Sequence, residues 1–463
     1  VCKKSSIFVQ NFVIMRYFIP ILVLLSVVLV GCNEEETTTT SSEARVNTFT
    51  FHKDTINPGL IEATYKIEHS GDTGLIYNKD SLRFGTRLDS VVPYVTYKAT
   101  PGKAEFILPD TTIISTGSDT MNFAQDPIYL HVTSSNLENE QWYRISLTVH
   151  QVDPDLYVWS QLTEQIFAPQ NCETKAVWLN GQLVLFVNNG FSTAIYRSLD
   201  GIRWTIEEAP IGLPTPCYVR EIMEHDDVLY YIADDKLYQS RDQINWTSTD
   251  YTAAEFSPIT MLMPFNNQAW CSVKDREQHA MHLATVTDTL IEVVTEVEGL
   301  VNGALPEHFP ISDFAALTFD SSSERPRAMV VGGRAENGNA VNTRWNFEYA
   351  TNGGYRMKDF SIEQPQFNSL TGISVIQYDG HLMMFGGIDN DQIWRSNMLL
   401  SDDEGMNWYV PDTAHNKLPD SYHTRQKQSV VVDDKNRIFI IGGQSQTQTF
   451  SDVYCGYLNS INW

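Results

Sequence analysis

The most constraining feature of this sequence is a short segment that recurs from residue 196 onwards and ends at a tryptophan. The copies read YRSLDGIRW, ending at Trp204, YQSRDQINW, ending at Trp246, LLSDDEGMNW, ending at Trp408, and YLNSINW, ending at Trp463. A degenerate copy, EYATNGGYRM, ends at Met357. An apolar run typical of a β-strand precedes each copy. The recurrence indicates that the part of the chain containing these copies is built from one repeated structural unit.

A second marker, a pair of glycines after an apolar strand, recurs out of phase with the first. It closes the segments AMVVGG, LMMFGG and IFIIGG, which are spaced by about 55 residues. Equivalent strands without the glycines, QLVLFVNNG, VLYYIADD and QAWCSVKD, come earlier in the chain. We predict a structural role for all six glycines, which are Gly332, Gly333, Gly386, Gly387, Gly442 and Gly443.

Repeats of about 40 to 55 residues that contain only strands and turns predict a β-propeller. The two markers together predict six blades, with seven blades as the alternative. The predicted blades begin near Glu173, Cys217, Pro258, Ser312, Ser369 and Gln426. The segment LYVWSQL, from Leu156 to Leu162, is predicted to pair with the last blade and close the ring, because closure removes exposed sheet edges.

The tryptophan-ended segment resembles the Asp-box, S-x-D-x-G-x-x-W, which SDDEGMNW matches in full. SLDGIRW is one residue shorter, and SRDQINW lacks the glycine. The diglycine, with Trp345 or Trp394 further on, resembles the kelch repeat of galactose-oxidase-like propellers. We expect the aspartate to accept hydrogen bonds from its own turn and the tryptophan to pack between sheets. The predicted structural residues are Ser198, Asp200, Trp204, Ser240, Asp242, Trp246, Ser401, Asp403, Gly405 and Trp408.

Residues 45–153 show short alternating runs separated by turn residues, which predict about seven strands of a small β-sandwich. The last of these runs, WYRISLTVHQV, should place Tyr143 and Ile145 on one face and Trp142 and Arg144 on the other. This region resembles the immunoglobulin-like domains that precede larger domains in Bacteroidetes lipoproteins. The Pro-containing segment DPDLYVW predicts the boundary with the propeller, which then spans residues 154–463.

The start of the chain is predicted to be a targeting segment. Residues 1–31 contain Arg16 followed by an apolar run, as in a secretory signal peptide, and Met15 is an alternative start. The segment LVGC resembles the lipobox of bacterial lipoproteins, which implies lipidation of Cys32 and a membrane anchor. Residues 32–44 contain an acidic run and a Thr/Ser-rich tether. The acidic run resembles the export signal of Bacteroidetes surface lipoproteins, which implies the outer membrane and the cell surface.

The charge and the cysteine pattern of the chain argue against a nucleic-acid partner and against a metal site. The chain carries a formal charge of −25, which repels phosphate backbones, so we predict no nucleic-acid partner. None of the six cysteines falls into a metal-ligand spacing, and the acidic pairs at strand ends fit no calcium loop. We therefore predict no metal and no cofactor. Four cysteines are predicted to be free thiols, with a disulfide left open: Cys172, Cys217, Cys271 and Cys455.

No catalytic constellation can be assigned from the sequence. The tyrosine and histidine set that holds copper in galactose oxidases has no counterpart, and we expect His279 and His282 to lie at the surface. Arginines are present at Arg220, Arg325 and Arg327, but the arginine motif near the first strands of sialidases is not. The tryptophans considered as a sugar platform lie on predicted strands, which favours core packing for Trp178, Trp270 and Trp345.

These observations favour a non-enzymatic cell-surface lipoprotein that binds a glycan or a protein, through residues that the sequence does not identify. The alternative is a glycan-active enzyme, a hydrolase or lyase, on a propeller scaffold. A third hypothesis is a structural spacer in an envelope complex. Two carboxylates about 5 to 9 Å apart in a cleft would favour the enzyme.

Overall fold

A computed structural model describes residues 40–321, 325–351, 353–362, 368–389 and 398–459. Those residues form an all-β protein with one helical turn, α1 (Gly59–Glu62), and one 3-10 turn (Val219–Glu221). The chain divides into two compact units, Val1–Gln151 and Val152–Trp463. Within the described ranges, no helix has the length and apolar character needed to cross a membrane. The signal segment and Cys32 lie outside the described residues.

The first unit consists of eight strands in two sheets. Its strands are β1 (Val46–Phe51), β2 (Tyr65–Ser70), β3 (Thr73–Asn78), β4 (Pro93–Tyr97), β5 (Lys103–Ile107), β6 (Thr112–Ile114), β7 (Ile128–Thr133) and β8 (Glu140–Ser146). Strands β1 and β4 form one sheet, and the other has the order β2-β3-β8-β7-β5-β6, with β3 and β8 parallel. Residues of both sheets, among them Phe51 and Phe106, share one hydrophobic core.

Alternation along β8 follows the sequence prediction. Tyr143 and Ile145 are buried, whereas Arg144 is exposed and Trp142 is half-buried. One local feature departs from the sequence pattern: the alternating run IEATYKIEH predicts a strand from Ile61, but β2 starts only at Tyr65. The intervening residues form α1 because Pro58 adopts φ −60° and ψ −27°, the conformation that starts a helical turn.

The second unit contains the remaining strands. The first half consists of β9 (Tyr157–Thr163), β10 (Glu173–Leu179), β11 (Gln182–Asn188), β12 (Thr193–Ser198), β13 (Thr205–Ile206), β14 (Met223–His225), β15 (Val228–Ala233), β16 (Lys236–Ser240), β17 (Thr247–Asp250), β18 (Phe256–Phe265), β19 (Gln268–Asp275), β20 (Met281–Thr287) and β21 (Leu290–Val293). The second half consists of β22 (Val297–Glu298), β23 (Ala315–Asp320), β24 (Pro326–Val331), β25 (Arg344–Tyr349), β26 (Tyr355–Asp359), β27 (Ser374–Tyr378), β28 (His381–Phe385), β29 (Leu399–Ser401), β30 (Ser429–Val432), β31 (Ile438–Ile441) and β32 (Val453–Leu458).

These strands form six sheets within the described ranges, which we number along the chain. Sheet 1 is β10-β11-β12-β13, sheet 2 is β14-β15-β16-β17, and sheet 3 is β18-β19-β20-β21. Sheet 4 is β22-β26-β25-β24-β23, sheet 5 is β27-β28-β29, and sheet 6 is β30-β31-β32-β9. The predicted pairing of the LYVWSQL segment is confirmed, because β9 runs antiparallel to β32 with Tyr157 opposite Leu458.

Hydrophobic cores lie between consecutive sheets. Separate clusters join sheets 1 and 2, 2 and 3, 3 and 4, 4 and 5, and 5 and 6. A further cluster joins sheet 6 back to sheet 1, where Phe439 and Ile441 pack with Leu183 and Leu185. A hydrogen bond from the Ala176 amide to Ser429 Oγ, 2.8 Å, links the same two sheets. Each sheet therefore buries both of its faces against its neighbours.

Candidate functional site

The motif aspartates of the repeated turns use their carboxylates to accept hydrogen bonds from the turn itself. Asp200 Oδ1 accepts hydrogen bonds from the amides of Ile202 and Arg203, each at 2.9 Å. The Arg203 amide, with the other donors, lowers the pKa of Asp200 to about 2. Trp204 Nε1 donates to the carbonyl oxygen of Gly201 at 3.0 Å. The turn thus satisfies its own polar groups and has no carboxylate left for catalysis.

The same hydrogen bonds recur in the other two copies. Asp242 Oδ1 accepts from the Asn245 amide at 2.7 Å, and Trp246 Nε1 donates to the Gln243 carbonyl at 2.9 Å. Gln243 takes the position of the missing glycine at φ +68°. The serines Ser198, Ser240 and Ser401 donate through Oγ to Asp200, Asp242 and Asp403 at 3.2, 3.2 and 2.9 Å.

At Gly201 and Gly405 the neighbouring sheet leaves no room for a side chain. A Cβ on Gly201 of sheet 1 would lie 2.8 Å from Phe439 Cε1 of sheet 6. A Cβ on Gly405, next to sheet 5, would collide with Met329 of sheet 4. The tryptophans follow the same rule, since Trp408 packs in the core between sheets 4 and 5. Each turn is therefore a wedge against the preceding sheet.

The diglycines also contact the neighbouring sheet. The Gly333 amide donates to the Leu370 carbonyl at 2.7 Å, and the Gly387 amide donates to the Arg425 carbonyl at 3.0 Å. A Cβ on Gly442 would lie 2.8 Å from Thr174 Oγ1 of sheet 1. All six glycines have positive φ, between 60° and 96°. These residues hold neighbouring sheets together and present no reactive group.

The other sequence candidates are also structural. Trp270 and Trp345 are 1% and 5% exposed, so core packing is confirmed for both, and Trp178 is half-buried. Trp394 and Trp463 lie outside the described residues. His279 is exposed, whereas His282 is half-buried, with its Nδ1 3.0 Å from the Gly303 carbonyl. The four cysteines are free, and the described residues contain no cluster of three or more ligands that could hold a metal ion.

A group of charged side chains, which sequence reasoning did not identify, lies where the first strands of several sheets begin. We call it the inner-strand cluster. Its members interact electrostatically with one another across sheets 1, 2, 4 and 6, although they are far apart in sequence. They are Glu173, Lys175, Arg220, Glu221, Asp313 and Lys427. All six residues are half-buried, and the side chains of Lys427 and Asp313 are 26% and 20% exposed.

The backbone holds part of this cluster in register. Asp313, Gly372 and Lys427 have φ of +52°, +67° and +57° at equivalent places before β23, β27 and β30. The Gly372 amide donates to the Asp313 carbonyl at 3.0 Å, and the Lys427 amide donates to the Gly372 carbonyl at 2.7 Å. These hydrogen bonds join sheets 4, 5 and 6. They fix the backbone positions from which the Asp313 and Lys427 side chains extend.

Asp313 is the acid of the cluster whose negative charge is balanced by direct ion pairs. Its carboxylate lies 3.1 Å from Lys427 Nζ and 3.3 Å from Arg334 Nε. Burial acts to raise the pKa of Asp313, but the positive charges of Lys427, Arg220 and Arg334 outweigh it and leave the pKa below its usual value. Asp313 is consequently ionised at neutral pH and is matched by two cations.

Arg220 and Lys175 are cations without a direct ion pair among the described residues, although the charges of Glu173, Asp313 and Glu221 act on Arg220 from a longer distance. Arg220 Nη1 donates to the Gln428 carbonyl at 3.4 Å. Among the described residues, no carboxylate oxygen lies within 4.0 Å of the Arg220 guanidinium or the Lys175 amine. Burial disfavours the charged form of Lys175, and with the nearby charge of Arg220 it lowers the pKa of Lys175 to about 8.

Burial makes ionisation less favourable for Glu221 and Glu173. Burial raises the pKa of Glu221 to about 8, and the negative charges of Glu173 and Asp313 add to the effect. Burial also raises the pKa of Glu173. Near neutral pH, Glu221 is therefore mostly a protonated carboxylic acid that can donate a hydrogen bond. The cluster offers cationic and neutral donors together in a partly solvated site.

Two family profiles together match most of the chain. The family profile described as the DUF6242 beta propeller domain matches residues 153–463. The profile for the N-terminal domain of the same family, a domain of unknown function, matches residues 34–147. No curated protein matches the chain.

Solved structures similar in fold include one titled "Structure of YjhT" and one titled "Streptogramin B lyase structure". The first is 11% identical with a TM-score of 0.44, and the match covers 63% of this chain and 96% of that one. The second is 10% identical with a TM-score of 0.34, and covers 66% and 98%.

Proposed function

Because this chain belongs to the DUF6242 family, with an N-terminal domain followed by a β-propeller domain, we propose that it is a non-enzymatic binding protein whose propeller binds a glycan or a protein at the inner-strand cluster. One observation carries this proposal. The Asp-box and diglycine residues hold the sheets together, whereas Arg220 and Lys175 are half-buried residues with no carboxylate oxygen within 4.0 Å of their charged groups among the described residues.

The propeller has six blades of kelch and Asp-box type in this proposal. Six sheets in the described ranges support that count, together with the hydrophobic core between sheets 6 and 1. The hydrogen-bonded Asp-box turns and the positive-φ diglycines support the two repeat types. In a closed ring the first strands surround the axis, so the inner-strand cluster would lie at the mouth of the axial channel.

The N-terminal unit is an immunoglobulin-like sandwich that acts as a spacer or docking module in this proposal. Two sheets that share one core support it. The anchor is a lipid on Cys32, placed at the outer face of a Bacteroidetes outer membrane, and the sequence from Arg16 to the acidic run supports it. Metabolic labelling with palmitate and protease treatment of intact cells test the anchor. A Cys32→Ser variant that still incorporates label would contradict it.

A glycan array probed with the mature chain, with product analysis of each hit, tests the binding function. Binding without turnover supports the proposal. Binding that is unchanged when Arg220 is replaced by glutamine places the ligand elsewhere on the protein. A mature chain that binds neither glycans nor surface proteins would contradict the proposal.

A glycan-active enzyme is a second candidate, favoured by the paired acids Glu173 and Glu221. Both have a raised pKa, and the negative charge of Glu173 disfavours ionisation of Glu221, as expected for a general acid beside a second carboxyl group. Turnover that is abolished by Glu221→Gln would establish this alternative in place of the binding function.

A further inference from the structure

We infer that the inner-strand cluster recognises the carboxylate of an acidic sugar residue within a glycan. This inference rests on the proposed binding function and names the class of ligand that the site takes. It depends on the charge balance of the cluster, on the charge of the whole chain, and on the side chains beside Arg220.

The charge balance favours an anionic ligand group. Asp313 is matched by Lys427 at 3.1 Å and Arg334 at 3.3 Å, so its charge is used within the protein. Arg220 and Lys175 remain without a carboxylate within 4.0 Å among the described residues. Even with Glu173 ionised, Asp313 and Glu173 face four cations, which are Lys175, Arg220, Lys427 and Arg334. Glu221, with a pKa of about 8, adds little negative charge at neutral pH. A ligand carboxylate would supply the missing counter-charge.

Arg220 has the chemistry and the setting to bind a carboxylate. A guanidinium presents a planar set of donors that matches two carboxylate oxygens. Among the described residues, a single donor of Arg220 is directed at a protein acceptor, the Gln428 carbonyl, at a long 3.4 Å. That carbonyl also accepts a hydrogen bond from Ser374 Oγ at 2.6 Å, which fixes its position. The guanidinium is therefore held beside the channel rather than consumed by an ion pair.

The charge of the chain limits the ligand to an isolated carboxylate. A formal charge of −25 repels extended polyanions before they reach the channel. A single carboxylate on an otherwise neutral oligosaccharide carries little of that penalty and still gains the local attraction of the cations. The inference therefore predicts a glycan with sparse uronate or sialate residues rather than a polyuronate.

The neighbourhood of Arg220 favours a sugar over a peptide. Tyr218, two residues before Arg220, is 62% exposed and offers an aromatic face for the apolar side of a sugar ring. The six side chains of the cluster are ionisable and polar, and Ser374 beside them carries a hydroxyl, so hydrogen-bonding groups that suit sugar hydroxyls predominate. Large apolar side chains of a peptide would find no matching pocket among these groups.

The test compares acidic glycans with their own neutral counterparts. Oligosaccharides that end in glucuronate, galacturonate or sialate are immobilised beside the same oligosaccharides after reduction of the carboxyl group, and acidic and neutral peptides form a separate arm. The mature chain, Arg220→Gln and Lys175→Gln are compared with Arg203→Gln. Arg203 is the matched control because its side chain is 89% exposed and lies in the turn of Asp200, outside the cluster.

The inference predicts that binding requires the carboxylate. At least one acidic glycan binds, its reduced counterpart binds at least about tenfold more weakly, and Arg220→Gln loses a similar factor while Arg203→Gln does not. Lys175→Gln is the second variant if Arg220→Gln fails to fold, as judged by its thermal transition, and the same loss is expected.

Three outcomes would overturn the inference. Equal binding of acidic and reduced glycans would leave the binding function intact and would show that the site does not recognise the carboxylate. Binding of acidic peptides alone replaces the glycan with a protein partner. A mature chain that binds no member of either arm contradicts the inference and the binding function together.

Discussion

Replacement of Trp408 by alanine should destabilise the propeller unit strongly, because this side chain joins two sheets. Trp408 is 8% exposed, packs in the core between sheets 4 and 5, and donates through Nε1 to the Gly405 carbonyl at 3.1 Å. Truncation of a buried tryptophan costs about 3 to 5 kcal/mol, which includes about 1 kcal/mol for the hydrogen bond. Domains are stable by about 5 to 15 kcal/mol, so the loss is a large fraction of the total.

Urea unfolding followed by circular dichroism measures this change. The transition of the propeller unit should move to lower urea, while a transition that belongs to the N-terminal unit should stay in place. Trp408→Phe separates the two contributions, because it keeps most of the packing and loses the hydrogen bond, so its cost should be nearer 1 to 2 kcal/mol. A cost below about 1 kcal/mol for Trp408→Ala would refute the role of the turn as a wedge between sheets.

Three further predictions concern single residues. Gly387→Ala should destabilise the propeller unit by at least about 1 kcal/mol in the same assay, because Gly387 has φ +94° and its Cβ would collide with Ile373; an unchanged midpoint would contradict this. Competitive acetylation at graded pH, read by mass spectrometry, should give Lys175 a pKa of about 8, whereas an ordinary lysine value would contradict the burial of its amine. Asp200 has a folded pKa below its unfolded value, so its contribution to stability is present above the unfolded pKa of about 4 and is lost as pH falls towards 2. Asp200→Asn should therefore flatten the acid-unfolding profile between these pH values. An unchanged profile would contradict this prediction.

Features set by neighbouring residues could be predicted from the sequence. The Asp200, Asp242 and Asp403 turns depend on donors within a few residues, so the motif alone predicts the all-β, repeat-built second unit. The helical turn α1 was missed because a short apolar run carries no clear period, and Pro58 determined the outcome.

The inner-strand cluster could not be predicted in the same way. Glu173, Arg220, Asp313 and Lys427 come from four different repeats, and only the packing of the sheets brings them together. A weak signal was present, because CETKAVW and CYVREIM place charged residues at the start of otherwise apolar runs. Such charges are commonly solvated, so sequence alone did not separate them from ordinary surface residues.

Hydrogen exchange of the mature chain, with and without a glycan that it binds, tests the central claim most directly. The account predicts that the amides around Glu173, Arg220, Asp313 and Lys427 gain protection together, because one ligand occupies the site that these four segments surround. Protection confined to the turns at Asp200 and Asp403, or confined to the N-terminal unit, would contradict it.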